Sequence, residues 1–299
     1  MKGVGNMNEY TDELKFVKNK LENEYGYKVG YIALQGSQNY GLDINIEGYQ
    51  SDIDMKAIII PTLSDLVNNS KLVSKNIDIM ERLSDDRYLI EKVDVKDIRH
   101  YMNIMKKGNP SYLEPMFSDY YLIDEEFKSE FNMIRDNMEC FTYSVRDLMI
   151  KAIYGMAKEK EHGLTHRYPS KEHLIDEYGY DSKQIMHISR LKIFASKYYG
   201  YYKGDTNYNF KEAIFIEGDE FLYRYLMKIK TYSYSLKVIK ERCGWYIDSL
   251  SYHRKEILNN IDSSNIDRSI QDRYDFICTK IIKNKIKKEL KEEKNDESR

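Results

Sequence analysis

The segment Tyr31–Pro61, YIALQGSQNYGLDINIEGYQSDIDMKAIIIP, constrains the fold of this chain more than any other stretch. Two apolar runs enclose a polar interior that holds Gly36-Ser37 and the alternating acids Asp52 and Asp54. Val29 to Leu34 has strand length and is interrupted at Gly36, where a glycine permits positive φ or close approach of a ligand to the backbone. Ser37 adds a hydroxyl and an exposed amide, so the corner can hold a phosphate. Ser51 to Pro61 reads as a second strand. Period two places Asp52, Asp54 and Lys56 on one face and Ile53, Met55 and Ala57 on the other. Two carboxylates two residues apart on one strand face can share a divalent metal, and Mg2+ takes oxygen ligands. The plainer reading of the same residues is an ordinary turn beside a solvated acidic sheet edge.

Such a pair is usually completed by a third carboxylate from a neighbouring strand. Arg87 to Asp97, RYLIEKVDVKD, is the next strand-like segment. Asp94, set between Val93 and Val95, is the expected third acid. Glu91 and Asp97 are alternatives, because alternation along this segment does not decide among them.

Around this centre the chain alternates its signals. A helix is expected from Thr11, as cap, to Tyr25, on Leu14, Val17 and Leu21, with Gly26 as its stop. Residues 68–86 are polar and mixed. Ile98 to Lys107 is a second helix ended by Gly108, and Asn109-Pro110 opens a turn from which Ser111 can cap Tyr112 to Phe117. An α/β domain therefore closes near residue 125, giving a first domain at 1–125.

From Glu126 the pattern becomes helical through Ala157, giving a second domain at 126–292. Within it, Lys158 to Asp181 contains His162, His166 and His173 at spacings that do not suit zinc. A polar substrate-facing loop or a solvated one is expected there. Lys183 to Tyr199 is a helix that puts Lys183, His187 and Arg190 on one face, available to phosphate or simply to water. Tyr201 to Asn209 is irregular and Gly218 marks a turn. Phe221 to Cys243 and Ser264 to Leu290 are helical, and residues 293–299 form a charged tail expected to be disordered.

Composition narrows the setting. With 299 residues the chain can bury a sizeable core, and 41% hydrophobic against 32% charged residues describes a soluble globular protein. A net charge of -2 is silent about polyanionic partners. Cys140, Cys243 and Cys278 are odd in number and dispersed, which favours a reducing, cytoplasmic compartment. The first ten residues lack the apolar run of a signal peptide, and no stretch approaches the roughly 18 apolar residues of a membrane span.

Taken in order, Gly36-Ser37, Tyr40-Gly41, Ser51-Asp52-Ile53-Asp54, Gly108-Asn109-Pro110 with Glu114, and Tyr178-Gly179-Tyr180-Asp181 with Lys183, His187 and Arg190-Leu191 resemble a known group. They look like the nucleotidyltransferases of the DNA polymerase beta superfamily found in bacteria and their phages. The resemblance spans about Tyr31 to Leu191. It implies an α+β fold, a mixed nucleotidyltransferase sheet with flanking helices followed by a mostly helical C-terminal domain. It implies that Gly36 and Ser37 hold nucleotide phosphates and that Asp52, Asp54 and Asp94 are catalytic ligands of Mg2+ or Mn2+, with Asp94 as general base. Lys183, His187 and Arg190 would contact phosphate or acceptor. The implied reaction moves NMP from an NTP, such as ATP, to a hydroxyl of RNA or tRNA, a protein or a small molecule, releasing pyrophosphate. The alternative is a catalytically inactive nucleotide- or nucleic-acid-binding regulatory protein.

Overall fold

The computed structural model describes residues 10–43, 45–46, 49–68, 72–84, 87, 89–200, 209–216 and 219–297. The irregular segment expected at 201–209, apart from its last residue, and the turn at Gly218 lie outside them. The strands are β1 (Lys28–Gln35), β2 (Asn45–Ile46), β3 (Tyr49–Gln50), β4 (Ile53–Ile60), β5 (Ser74–Glu81), β6 (Ile90–Asp97) and β7 (Tyr121–Ile123). The helices up to the end of the sheet region are α1 (Thr11–Asn23), α2 (Leu63–Val67), α3 (Ile98–Met105) and α4 (Pro110–Leu113). After it come α5 (Lys128–Asp136), α6 (Met138–Ser144), α7 (Arg146–Gly163), α8 (Glu172–Tyr178), α9 (Ser182–Tyr199), α10 (Phe210–Ile214), α11 (Glu220–Lys230), α12 (Leu236–Asn260) and α13 (Ser269–Glu297).

Five strands form a mixed sheet in the order β5-β6-β4-β1-β7, with β4 and β6 parallel and the other neighbours antiparallel. The fold is α+β, as the sequence led us to expect. Ile53, Met55, Ala57 and Ile59 of β4 join Ile32, Leu34, Val93 and Val95 on one sheet face, where they meet Leu14, Val17 and Leu21 of α1. Burying those three α1 side chains contributes roughly 2 kcal/mol each. That outweighs the cap expected from Thr11. Tyr10 occupies the capping position instead, and it makes no side-chain cap bond.

The opposite face, with Tyr31, Ala33, Ile58 and Ile60, merges without a break into the core of the helical region. Arg135 donates to the Tyr31 hydroxyl at 2.7 Å and to the Ser118 carbonyl at 2.9 Å. Gly30 is required where β1 bends, since a Cβ there would lie 2.8 Å from Ile60 Cδ1 and 2.9 Å from Phe131 Cε2.

Three expectations about elements are corrected. The mixed stretch after residue 68 contains β5, an edge strand that buries only Ile77 and Ile79 among its eight residues. The long helix expected from Glu126 to Ala157 is broken at Asn137 and Val145 into α5, α6 and α7. The terminal helix α13 continues through Glu297, past the point where a disordered tail was expected. The turns before that segment are anchored: Glu289 accepts from the Leu63 amide at 2.8 Å and pairs with Lys285, while Lys288 pairs with Glu126 at 2.9 Å. Among the described residues no helix is long and apolar enough to cross a membrane.

Candidate active site

β1 ends at Gln35, directly opposite Asp54 on β4, so the chain leaves the sheet beside the acidic strand. Gly36 takes φ +82°, a conformation that favours glycine, and a Cβ there would stand 3.7 Å from Asp54 Oδ2. Residues 37–41 wind into a turn. The Leu42 amide bonds to the Ser37 carbonyl at 2.8 Å, and the Tyr40 amide reaches the Gly36 and Ser37 carbonyls at 3.3 Å. Gln38 donates to the Asp52 carbonyl and fastens the turn to the start of β4.

Beneath the turn lies a buried network. Glu114, 3% exposed, accepts from Asn39 Nδ2 at 3.0 Å and from the Gly36 amide. Ser118 Oγ donates to Asn39 Oδ1 at 2.7 Å. Arg190 of α9 stacks on the Tyr40 ring, its guanidinium carbon 3.3 Å from the ring centroid, donates to the Tyr40 hydroxyl, and stands 3.9 Å from Glu114. Burial pushes the Glu114 carboxyl up to about 7, against the opposing pull of Arg190 and Asn39. Burial likewise lowers the Arg190 guanidinium to about 10.

The acids converge, but not as expected. Asp52, Asp54 and Glu91 offer carboxylate oxygens that all lie within 4.8 Å of one another. The register between β4 and β6 slips between Ile53 and Asp54: Ile53 pairs with Ile90 and Asp54 with Lys92, leaving Glu91 as an extra residue. A bulge of this kind re-aims a side chain, and here Glu91 joins the Asp52/Asp54 cluster although its parity would put it on the core face.

Asp94, expected as third ligand and general base, stands outside this group. Its carboxylate accepts from Lys56 at 2.7 Å, from Lys96, and from the Tyr112 hydroxyl at 3.1 Å. Burial opposes its charge, but the two ammonium groups hold the carboxyl below its usual range. The other alternative, Asp97, caps α3 through the Arg99 amide at 2.8 Å and pairs with the Arg99 side chain at 2.6 Å.

Electrostatics in the cluster match crowded acids. Burial and the neighbouring Asp52 charge push the Asp54 carboxyl up. Glu91 is raised mainly by its hydrogen bond to Asp52. Asp52 is held low, because that bond and the charges of Lys183 and Lys92 outweigh its burial. Asp54 Oδ1 is buried and has no hydrogen-bond partner. A buried carboxylate oxygen without a partner costs about 1–3 kcal/mol. Three hard oxygen donors with such an orphan fit a divalent cation of the Mg2+ or Mn2+ type.

The face of α9 divides its roles. Lys183 is exposed and its charge acts on both Asp52 and Asp54. His187 is driven well below its ordinary range by burial and by Arg190, Lys183, Lys160 and Lys230, so near neutral pH it is an uncharged imidazole rather than a cation. Arg190 is committed to Tyr40 and Glu114. Lys230, at the end of α11, was not singled out from the sequence, where it sits in an ordinary amphipathic pattern. It donates to the Leu42 carbonyl at 2.7 Å and reaches Ser51 Oγ at 3.5 Å. Burial, then Lys183, lowers its ammonium to about 8.

The model of a family described as RlaP, RNA repair pathway DNA polymerase beta family, matches residues 12–198, more than half of the chain. No curated protein matches it.

Proposed function

The chain belongs to the RNA repair pathway DNA polymerase beta family, and on that premise we propose that it is a metal-dependent nucleotidyltransferase that transfers NMP from an NTP to a hydroxyl of RNA. The observation that carries the reading is the orphaned Asp54 Oδ1 inside a trio of carboxylates at the Gly36-Ser37 turn. Asp52, Asp54 and Glu91 would hold the cation. Bound there, Mg2+ or Mn2+ supplies neutralisation of triphosphate charge and eases deprotonation of the acceptor hydroxyl.

The chain's own groups do the rest. The Gly36-Ser37 turn offers the Ser37 amide and hydroxyl to the phosphates, the Gly36 amide being held by Glu114, with no side chain at Gly36 to fill the space beside Asp54. Lys183 and Lys230 face the acidic trio and receive the charge of the leaving diphosphate. The acceptor oxygen bonds to the α-phosphorus, the α–β bridging bond breaks, and pyrophosphate departs. The hydroxyl proton passes to a carboxylate of the trio. Among RNA, protein and small-molecule acceptors, the family's description favours RNA. The convergence of three carboxylates speaks against the inactive, binding-only alternative.

The test is incubation of the protein with labelled NTPs, Mg2+ and RNA bearing defined ends. Label should pass to RNA only with metal, and the double substitution Asp52→Ala with Asp54→Ala should abolish transfer. Transfer that persists in the double variant would sink the mechanism.

A further inference from the structure

A second site lies where the end of α7 meets the start of α9. A cavity of about 460 Å3 is lined by Glu159, Lys160, His162, Gly163, Tyr168 and Gln184, a size within the range of small-molecule sites. Its aromatic lining is His162 and Tyr168, and His166, outside the lining, packs against both rings. His162 stacks on His166 with centroids 5.3 Å apart and 30° between planes, and His166 lies 4.2 Å from Tyr168.

The lining points to one chemical class. The only charges on it, Lys160 and Glu159, pair with each other at 3.0 Å, so neither a phosphate nor a metal is called for. Two imidazoles stacked face to face present rings rather than converging nitrogens, and among the described residues they form no metal-binding group. What remains is flat ring surface beside a neutral amide. Gln184 is oriented by donating from Nε2 to Asp181 Oδ2 at 3.0 Å, which leaves its carbonyl oxygen as an acceptor. Gly163 lies against Gln184, where an added Cβ would make ordinary contact at 3.4 Å. A planar, neutral heteroaromatic ring with hydrogen-bonding edges is the complement of such a surface, and nucleobases stack on exposed rings in this way.

The cavity and the reaction centre share the first turn of α9. Gln184 follows Lys183, whose charge acts on Asp52 and Asp54, and Lys160 is among the charges felt at His187. We propose that this cavity is a nucleobase-binding subsite, with His162 and Tyr168 as its stacking surface and Gln184 as its polar contact. The proposal rests on the nucleotidyltransferase reading. The base can come from the incoming nucleotide or from the RNA acceptor, and the same chemistry recognises either.

Equilibrium binding to the full chain tests it with three probes in Mg2+: each NTP, a single-stranded oligoribonucleotide, and base-free tripolyphosphate. Both ring positions are exposed, so His162→Ala with Tyr168→Ala should leave folding intact. This double variant should weaken one base-bearing probe by about tenfold or more and leave tripolyphosphate unchanged. His162→Phe with Tyr168→Phe, which keeps the rings, should bind close to wild type. The probe that weakens identifies whose base is held. Unchanged binding of both base-bearing probes, or equal loss of tripolyphosphate, overturns the subsite while leaving the transferase reading standing. A wild-type chain that binds none of the three overturns both.

Discussion

Asp54 is a residue whose fitness for a cation is bought with stability. Its carboxyl is raised by burial and by Asp52, and one of its oxygens has no partner. Asp54→Asn removes the repulsion and should raise the melting temperature of the metal-free protein by a few degrees, on the order of 1 kcal/mol. Added Mg2+ should raise the wild-type melting temperature and leave the variant's unchanged. A variant less stable than wild type without metal would contradict this account. Glu114 makes a pH-dependent contribution of its own. Its carboxyl is pushed up to about 7 in the folded chain, against about 4.3 when unfolded. Below the unfolded value both states are protonated and the contribution is fully present. As the pH rises from about 4.3 towards about 7 the unfolded chain gives up this proton while the buried carboxyl keeps it, so roughly 3 kcal/mol is lost by the pH at which Glu114 ionises. Urea midpoints measured at pH 5 and pH 8 should therefore fall more in the wild type than in Glu114→Gln, whose amide does not titrate; equal falls would assign the Glu114 environment wrongly.

At the scale of elements, β6 carries both the acid that joins the site and the acid that does not, and the distinction was not readable from alternation. A bulge adds one residue to one strand, so Glu91 changes side while Val93 and Val95 keep the core register. No local residue type announces such a slip. Continuous apolar runs made β1 and β4 legible, because both strands are buried on two faces, one against α1 and the other in the core of the helical region. That signal is missing from β5, whose edge position leaves SKNIDIME mostly polar. The spacing of Lys183, His187 and Arg190 correctly put them on one helix, but charge state and commitment depend on burial and on Tyr40 and Glu114, which are distant in sequence. Substitutions on β6 separate the two acids. Glu91→Gln should lower transfer by at least about a hundredfold with little change in folding, since it removes a charge that faces the cation site. Asp94→Asn should instead destabilise by about 3–5 kcal/mol, because it strands the buried ammonium groups of Lys56 and Lys96. Thermal melts and single-turnover rates on both variants check this; the reverse pattern would restore Asp94 as the third acid.

For the whole molecule, the sheet ends at Ile123, close to the boundary read from the sequence at 125, yet the packing does not divide there. One hydrophobic core runs from Tyr31 and Ile60 on the sheet to Tyr274 and Ile281 on α13. Polar ties cross the same line: Arg135 to Tyr31, Arg190 to Tyr40, Lys230 to Leu42 and the Leu63 amide to Glu289. Two of these, from Arg190 and Lys230, clamp the loop that follows Gly36, so this turn is shaped by helices that lie more than a hundred residues later. A chain organised in this way should unfold as one unit, with calorimetric and van't Hoff enthalpies in agreement. The fragment 1–125 would expose the sheet face that Phe127, Phe131 and Ile134 cover, and it should lack the dispersed NMR spectrum of a folded domain and show no Mg2+ binding. A fragment that folds alone and binds Mg2+ as the full chain does would show that the carboxylate trio is set by the sheet without the helices.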